Sequence, residues 1–199
     1  LPTEGTILLN GVSTKGLKPN EIVMLGSSRT FQNIRLFKNM TVLDNIKIAY
    51  HNRMSYGFFA SILNTKKYKS EEATADSVAL DLLKVFDLDG FAAEKAKNLP
   101  YGKQRKLEIA RALATDPKIL LLDEPAAGMN PQETEELMET IKLLKTKFKI
   151  SILLIEHDMK LVMGICERIV VIDYGKIIAK GSPKEIRNNP DVIKAYLGD

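Results

Sequence analysis

The sequence contains a single cysteine, Cys166, so an internal disulfide framework is excluded. Its apolar neighbours favour a buried, inert thiol over a nucleophile. No apolar run approaches the ~18 residues of a membrane span. Dense Lys/Arg blocks with interleaved aromatics, typical of nucleic-acid binding, are also missing, and the net charge is only +4. These absences predict a protein of the reducing cytoplasm that does not bind nucleic acid.

A phosphate-binding loop of the form G-x-x-x-x-G-K-[ST] is a further absence. Gly102-Lys103 is followed by Gln, and Gly175-Lys176 is followed by Ile. In "GVSTKGLK" a leucine separates Gly16 from Lys18. The 199 residues are therefore expected to bind nucleotide phosphates weakly or not at all.

The first hundred residues begin with short elements and continue as helices. Residues 6–9 and 28–32 read as short strands, and Pro19 marks a helix start within 18–25. The stretch 41–100 reads as helical, with Thr41 and Ser70 as caps. The second of these helices has an apolar face at helical spacing: Ala75, Val78, Ala79, Leu82, Val85 and Phe86.

From residue 103 the pattern alternates between helices and apolar strands. We predict helix 103–115, strand 119–122, a helix capped by Asn130 with Pro131 and Glu133, and strand 150–155. "RIVVID" and "KIIAKG" then predict two strands joined at Tyr174-Gly175. Continuous apolar strands between helices indicate an α/β fold with a mostly parallel sheet covered on both faces.

Two predicted strands end in polar residues. Asp123 and Glu124 follow the run "ILLL", and His157 follows "ISILLI" with one residue between. Ligands in open α/β sheets bind at the carboxyl ends of strands, so these side chains could converge on one site. They could equally be ordinary polar residues at strand exits. The pattern alone leaves both interpretations open.

Five ordered motifs carry a family resemblance. "NLPYGKQRKLEIARALATDPKILLLDEPAAGMNP" resembles the signature helix, Walker B strand and D-loop of ABC-type ATPases. "RTFQ" resembles their Q-loop, and "LLIEHDM" resembles the switch-histidine segment. The segment "SSRTFQNIRLFKNMTVLDNI" resembles the sequences of ATP-binding subunits of branched-chain amino acid importers. The lipopolysaccharide-export ATPases are similar relatives.

The resemblance implies roles for matching residues, with ATP and Mg²⁺ as ligands of the intact protein. Gln32 would sense Mg²⁺ and the attacking water, and Asp123 would hold Mg²⁺ through water. Glu124 would be the general base and His157 the switch histidine. These implications make Glu124, His157 and Gln32 catalytic candidates, and Asp123 and Gln32 metal candidates.

The signature segment departs from the family's common Leu-Ser-Gly-Gly-Gln. Here it reads Leu-Pro-Tyr-Gly-Lys, so Pro100 replaces the serine that reaches the partner's ATP. Gly102 still opens a helix whose amino end can face an anion, and Lys103 could compensate with its charge. The residues implied to bind nucleotide are Pro100, Tyr101, Gly102, Lys103, Gln104 and Asn130, the last at the D-loop aspartate position.

The resemblance implies a truncated ABC-type ATPase domain with an inserted helical lobe. Residues 1–32 would be a core remnant with the Q-loop, 33–100 the helical subdomain, and 101–199 the remaining core. We expect the chain to start just after the Walker A loop, so that apolar surface is exposed and the fragment is inactive alone.

The implied partners are integral-membrane permease subunits and a second, identical or different, ATPase subunit, at the inner face of the cell membrane. Two alternatives stay open. One is a non-catalytic module that keeps the permease-binding and dimer surfaces. The other is the ATPase of a related exporter, such as that for lipopolysaccharide.

Overall fold

Three parallel strands form the central sheet, and two of them end at the polar residues identified in the sequence. In the computed structural model, which describes residues 3–197, β3 (Ser27–Arg29), β4 (Ile119–Asp123) and β5 (Ser151–Ile155) form one sheet in the order β3-β4-β5. Both pairings are parallel. The α/β fold with a parallel sheet is confirmed. The outermost positions of the first and third predicted regions, 1–2 and 198–199, lie outside the described residues.

A small hairpin and a short helix precede this sheet. Strands β1 (Leu8–Leu9) and β2 (Val12–Ser13) pair antiparallel. The intervening Asn10-Gly11 has φ of 50° and 79°, the left-handed backbone that a two-residue hairpin turn needs. Helix α1 (Pro19–Met24) begins at its proline, as predicted.

The helical stretch contains α2 (Val42–Tyr50), α3 (Phe58–Ile62) and α4 (Lys66–Val85). Thr41 caps α2 as predicted, because its hydroxyl accepts from the Asp44 amide. The prediction that Ser70 caps the next helix was wrong. The Thr65 hydroxyl accepts from the Tyr68 amide at 3.3 Å, so the helix begins at Lys66 and Ser70 lies inside it.

The apolar face predicted for α4 joins the main core. Ala75, Ala79, Leu82 and Phe86 are buried, and Val78 and Val85 pack against them at partial exposure. The same core cluster takes in residues of α2, of β4 and of the two long helices that flank β4. The helical stretch and the sheet therefore share one hydrophobic interior.

The helices on either side of β4 are α5 (Tyr101–Leu113) and α6 (Pro131–Phe148). The predicted bounds of α5, 103–115, were two residues late at both ends. Its first turn begins directly after Pro100, whose extended ψ of 154° places it at the cap. For α6 the prediction is confirmed, because Asn130 and Glu133 form a capping box with Pro131 at the first position.

The expectation that the sheet is covered on both faces was wrong at β5. Leu153 and Ile155 are 55% and 56% exposed, whereas Ile152 and Leu154 pack against the core. One face of this strand thus presents apolar side chains to the surface, in line with the expectation of exposed apolar surface.

The C-terminal part is a separate hairpin with its own small core. Strands β6 (Ile169–Asp173) and β7 (Lys176–Gly181) pair antiparallel across Tyr174-Gly175, as predicted. Around it lie α7 (Met159–Ile165), α8 (Pro183–Arg187), α9 (Pro190–Val192) and the π-helical turn Ile193–Leu197. Within residues 3–197, no helix combines the length and apolarity needed to cross a bilayer.

Candidate functional site

The polar strand ends meet at one edge of the parallel sheet. Because β4 pairs in register with β5, Asp123 lies opposite Ile155, and the residues that follow both strands emerge side by side. β3 ends at Arg29 on the same edge, three residues before Gln32. The structure therefore brings the segments that carry these polar residues to one edge of the sheet.

Glu124 is held by both its backbone and its side chain. Its amide donates to the Ile155 carbonyl at 2.9 Å, which extends the β4–β5 ladder by one residue. Its φ of 43° lies in the left-handed region, which is unfavourable for a non-glycine residue. The surrounding hydrogen bonds keep this strained residue in place. Such strain tends to collect at functional sites.

The Glu124 carboxylate lies between two of the candidate residues. The Gln32 side-chain amide donates to Glu124 Oε2 at 2.7 Å. His157 Nδ1 lies 3.8 Å from Oε1, and the imidazole is largely exposed. The structure thus brings together Gln32, Glu124 and His157. A water molecule bound to this carboxylate would have an amide and an imidazole as neighbours.

Asp123 has a cation as its neighbour. Arg29 Nη2 donates to Asp123 Oδ2 at 2.6 Å. This pair was not foreseen, although "RTFQ" places the arginine three residues before Gln32. In the described part of the chain, no group of three or more His, Cys, Asp or Glu side chains is arranged to hold a metal ion. The Asp123 carboxylate is thus paired with an arginine.

The turn after Glu124 is fastened by a third acid. The Glu156 carboxylate accepts from the amide of Ala126 at 2.9 Å and from that of His157 at 3.2 Å. One side chain therefore ties the segment after β4 to the segment after β5. The sequence analysis did not assign Glu156 a role, although its position between the strand and His157 was a usable signal.

A buried ion pair in α5 holds the Gln32 segment. Arg105 and Glu108 are 0% and 2% exposed, and their charges are 2.8 Å apart. The Arg105 guanidinium donates to the carbonyls of Phe31 at 2.6 Å and Gln32 at 2.5 Å. Glu108 accepts from the Arg35 amide at 3.0 Å. The pair was missed because nothing local distinguishes it from other charges of the helix.

The start of α5 contacts the turn that follows Glu124. The Tyr101 hydroxyl donates to the Ala127 carbonyl at 2.9 Å. A Cβ atom on Gly128 would lie 3.4 Å from the tyrosine ring. Gly128 has a φ of 77°, so glycine suits both the backbone and the close approach of the ring. Tyr101 is thereby engaged within its own chain.

The other signature residues have contacts within the chain as well. Gln104 Nε2 donates to the Leu99 carbonyl at 2.8 Å, and Lys103 Nζ lies 4.8 Å from the centroid of the Phe91 ring. A Cβ atom on Gly102 would lie 2.6 Å from Glu133 Oε1, so glycine lets α5 approach the capping box of α6. The roles predicted for these residues toward a partner's nucleotide stay predictions.

Comparison with known proteins places this geometry in a class. A family model described as "ABC transporter" matches residues 1–127. A second model, described as "Branched-chain amino acid ATP-binding cassette transporter", matches residues 176–199.

Solved structures of ATP-binding cassettes also superpose well. The ADP conformation of MJ1267, an ATP-binding cassette of an ABC transporter, has a TM-score of 0.79 at 29% identity, covering 99% of this chain and 78% of that one. A nucleotide-free ATP-binding cassette from an ABC transporter has a TM-score of 0.79 at 31% identity, with the same coverage.

The fold is that of an ATP-binding cassette. Among curated relatives, the high-affinity branched-chain amino acid transport ATP-binding protein LivG of Escherichia coli (strain K12) is 50% identical over 198 residues, covering 100% of this chain and 78% of the relative. The corresponding protein BraF of Pseudomonas aeruginosa is 48% identical with the same coverage. The chain belongs to the ABC transporter family of ATP-binding proteins.

Proposed function

We propose that the chain is part of the ATP-hydrolysing subunit of an ABC importer for branched-chain amino acids. The observation that carries the proposal is the convergence of Gln32 and His157 on the Glu124 carboxylate at the end of β4. The 50% identity to LivG supports the solute class. The transported solute itself is selected by other subunits, so this chain encodes it poorly.

In this proposal each side chain acts on the water that attacks the γ-phosphate of ATP. Glu124 accepts a proton from that water as general base, and Gln32 orients the water and the carboxylate. His157 donates a hydrogen bond to the transferring phosphoryl group. The strained backbone of Glu124 and its hydrogen bonds fix the carboxylate before substrate arrives, which lowers the cost of reaching the transition state.

The residues present fit a magnesium ion that is held mostly by water and phosphate. Mg²⁺ in nucleotide sites takes one or two carboxylates and keeps several waters. Asp123 would supply the one carboxylate, acting through water, and its Oδ2 atom accepts a hydrogen bond from Arg29. The Gln32 amide oxygen would be a second ligand, and a neutral one. When bound, the ion supplies charge neutralisation at the phosphates.

Turnover requires a phosphate loop, and none of the Gly-Lys pairs within the 199 residues has the motif. We infer that these residues alone bind MgATP weakly and hydrolyse none. The non-catalytic interaction module remains the second candidate, and the missing loop is the observation that favours it.

The proposed assembly is a head-to-tail dimer on permease subunits at the cytoplasmic face of the membrane. In that dimer Pro100 through Gln104 and Asn130 of one subunit face the nucleotide of the other. The second ATPase subunit is either identical or different, and nucleic acid is not a partner. An exporter for lipopolysaccharide is the alternative transport role.

The test is a MgATP titration of two proteins. One is the 199-residue chain, and the other is the same chain extended at its amino end by the residues encoded upstream, through any phosphate loop. We expect binding and hydrolysis only in the longer form. Glu124→Gln in that form should reduce turnover by roughly a hundredfold or more while sparing binding. Glu139→Gln, an exposed carboxylate of α6, is the matched control.

Either of two results would overturn the proposal. Comparable binding by the short chain would mean that the phosphates are held by other residues. Undiminished turnover by Glu124→Gln would remove this carboxylate as the base. A longer form that contains no phosphate loop and binds no MgATP would favour the non-catalytic module.

A further inference from the structure

Helix α5 contacts both chain segments that position Glu124. Through Arg105 it holds the carbonyls of Phe31 and Gln32, and the Gln32 side chain in turn donates to Glu124. Through Tyr101 it holds the Ala127 carbonyl, three residues after Glu124. The two contacts belong to one helix turn, since Arg105 Nη2 also lies 3.4 Å from the Tyr101 hydroxyl.

Together with the backbone between Glu124 and Ala127, these hydrogen bonds form a closed ring that includes Glu124. The ring runs from Glu124 to Gln32, to Arg105, to Tyr101, to the Ala127 carbonyl, and back along the backbone to Glu124. Inside it, the Ala127 amide donates to the Glu124 carbonyl at 3.1 Å. A displacement of α5 would therefore move two things together: Gln32, which donates to the Glu124 carboxylate, and the turn at Ala127, which supports the strained Glu124 backbone.

The Arg105 guanidinium is suited to this task by its shape and burial. It is planar and always charged, and its fork of donors reaches Glu108 and two carbonyls at once. Because this charge is fully buried, moving it away from these partners would leave charged and polar groups unpaired away from water. Glu108 completes the clamp by accepting from the Arg35 amide.

We propose that Tyr101 and Arg105 are positioning residues for the hydrolytic step, which couple the start of α5 to the Glu124 carboxylate within the same subunit. This inference rests on the proposed function, since it requires Glu124 to be the reacting carboxylate. It differs from the nucleotide contact that the signature resemblance implied for Tyr101. A positioning residue alters kcat, whereas a residue that binds nucleotide equally in both states alters KM.

The main test is Tyr101→Phe in the natural polypeptide that contains residues 1–199. The variant keeps the ring against Gly128 and removes only the hydroxyl. We expect kcat for MgATP hydrolysis to fall roughly three- to tenfold, on the free-energy scale of one hydrogen bond, with KM unchanged and the melting temperature lowered no more than in the control described below. In the nucleotide-free protein, amides of residues 126–129 should exchange hydrogen faster than in the wild type.

Tyr196→Phe is the matched control. The Tyr196 hydroxyl also donates to a backbone carbonyl, that of Ile172 at 2.6 Å, and the two tyrosines are similarly exposed at 44% and 42%. Because this bond lies at the C-terminal hairpin, the control should hydrolyse MgATP at the wild-type rate. Arg105→Lys is the stronger second variant, since a single ammonium cannot replace the fork; its kcat should fall at least tenfold.

The outcomes separate the two proposals. If Glu124→Gln abolishes turnover but Tyr101→Phe equals Tyr196→Phe in kcat and in amide exchange, the positioning role is wrong and the proposed function stands. A change confined to KM also overturns the positioning role, as does a fall in kcat that comes with a melting temperature below that of Tyr196→Phe. If Glu124→Gln hydrolyses at the wild-type rate, both proposals fail.

Discussion

Two ion pairs border the same site and differ in their access to water. Arg105 and Glu108 in α5 are 0% and 2% exposed, whereas Arg29 and Asp123 at the strand ends are 53% and 23% exposed. The buried pair binds backbone groups of the Gln32 segment, and the exposed pair leaves a carboxylate within reach of solvent. The site thus combines charges that fix its shape with charges that remain available to a ligand. A third cluster consists of Lys47 in α2, Glu72 in α4 and Tyr56. Its charged members are intermediate in exposure, with Lys47 at 23% and Glu72 at 27%.

The largest expected effect is on the buried pair. Arg105→Ala leaves the Glu108 carboxylate and two carbonyls without their partner, so we expect a loss of about 3–5 kcal/mol in the free energy of unfolding. Urea denaturation measures it. Replacing both residues by leucine should recover part of the loss, because the buried Glu108 carboxylate is then not left without Arg105, although the half-buried Arg111 loses the negative charge of Glu108. A loss below about 1 kcal/mol for Arg105→Ala would mean that the pair is hydrated in solution.

A smaller, pH-dependent effect is expected at the intermediate cluster. The Tyr56 hydroxyl donates to Glu72 at 2.6 Å and, with the Lys47 ammonium 3.2 Å away, holds the pKa of Glu72 below its ordinary value of 4.5. The folded state thus favours the carboxylate. Its stabilisation is present above pH 4.5 and is lost as the pH falls through the lower, folded pKa.

Glu72→Gln should therefore reduce the free energy of unfolding by about 1 kcal/mol at pH 7. The difference from the wild type should shrink as the pH is lowered below 4.5. Denaturation curves at several pH values measure this difference. Glu167→Gln, at an exposed carboxylate paired with Lys145, is the control. A difference that grows on acidification would contradict the assigned sign.

The smallest expected effect is at the exposed pair. Arg29→Ala should change the free energy of unfolding by less than about 1 kcal/mol, and added salt should diminish the change. Thermal denaturation at low and high ionic strength measures it. A salt-independent loss above about 2 kcal/mol would show that the strand-end pair is as desolvated as the one in α5, and the contrast between them would disappear.

Local signals explain why much of the site could be predicted from the sequence. The ends of β4 and β5 follow from apolar runs that stop at acids, and the caps Thr41 and Asn130 bind amides only three residues away. The register of parallel strands then brings Asp123 and Glu124 near His157. Each of these inferences uses interactions within one element or between strands that are neighbours in the sheet.

The features that the sequence did not predict depend on contacts between residues that are distant in the chain. Arg105 binds the Phe31 carbonyl 74 residues away, and no periodicity encodes such a contact. Ser70 and Thr65 are both good caps, so the choice between them depends on where the packed face of α4 begins. The exposure of Leu153 on β5 depends on what lies over the sheet, which the composition of a strand does not reveal.

The left-handed backbone of Glu124 has a consequence for how this position can change. A glycine there would relieve the strain, and an asparagine would tolerate it better than glutamate does. Both substitutions would favour the folded state locally while removing the carboxylate. With Glu124 as the proposed general base, this position sets local stability against activity, because the substitutions that relieve the backbone strain also remove the acid.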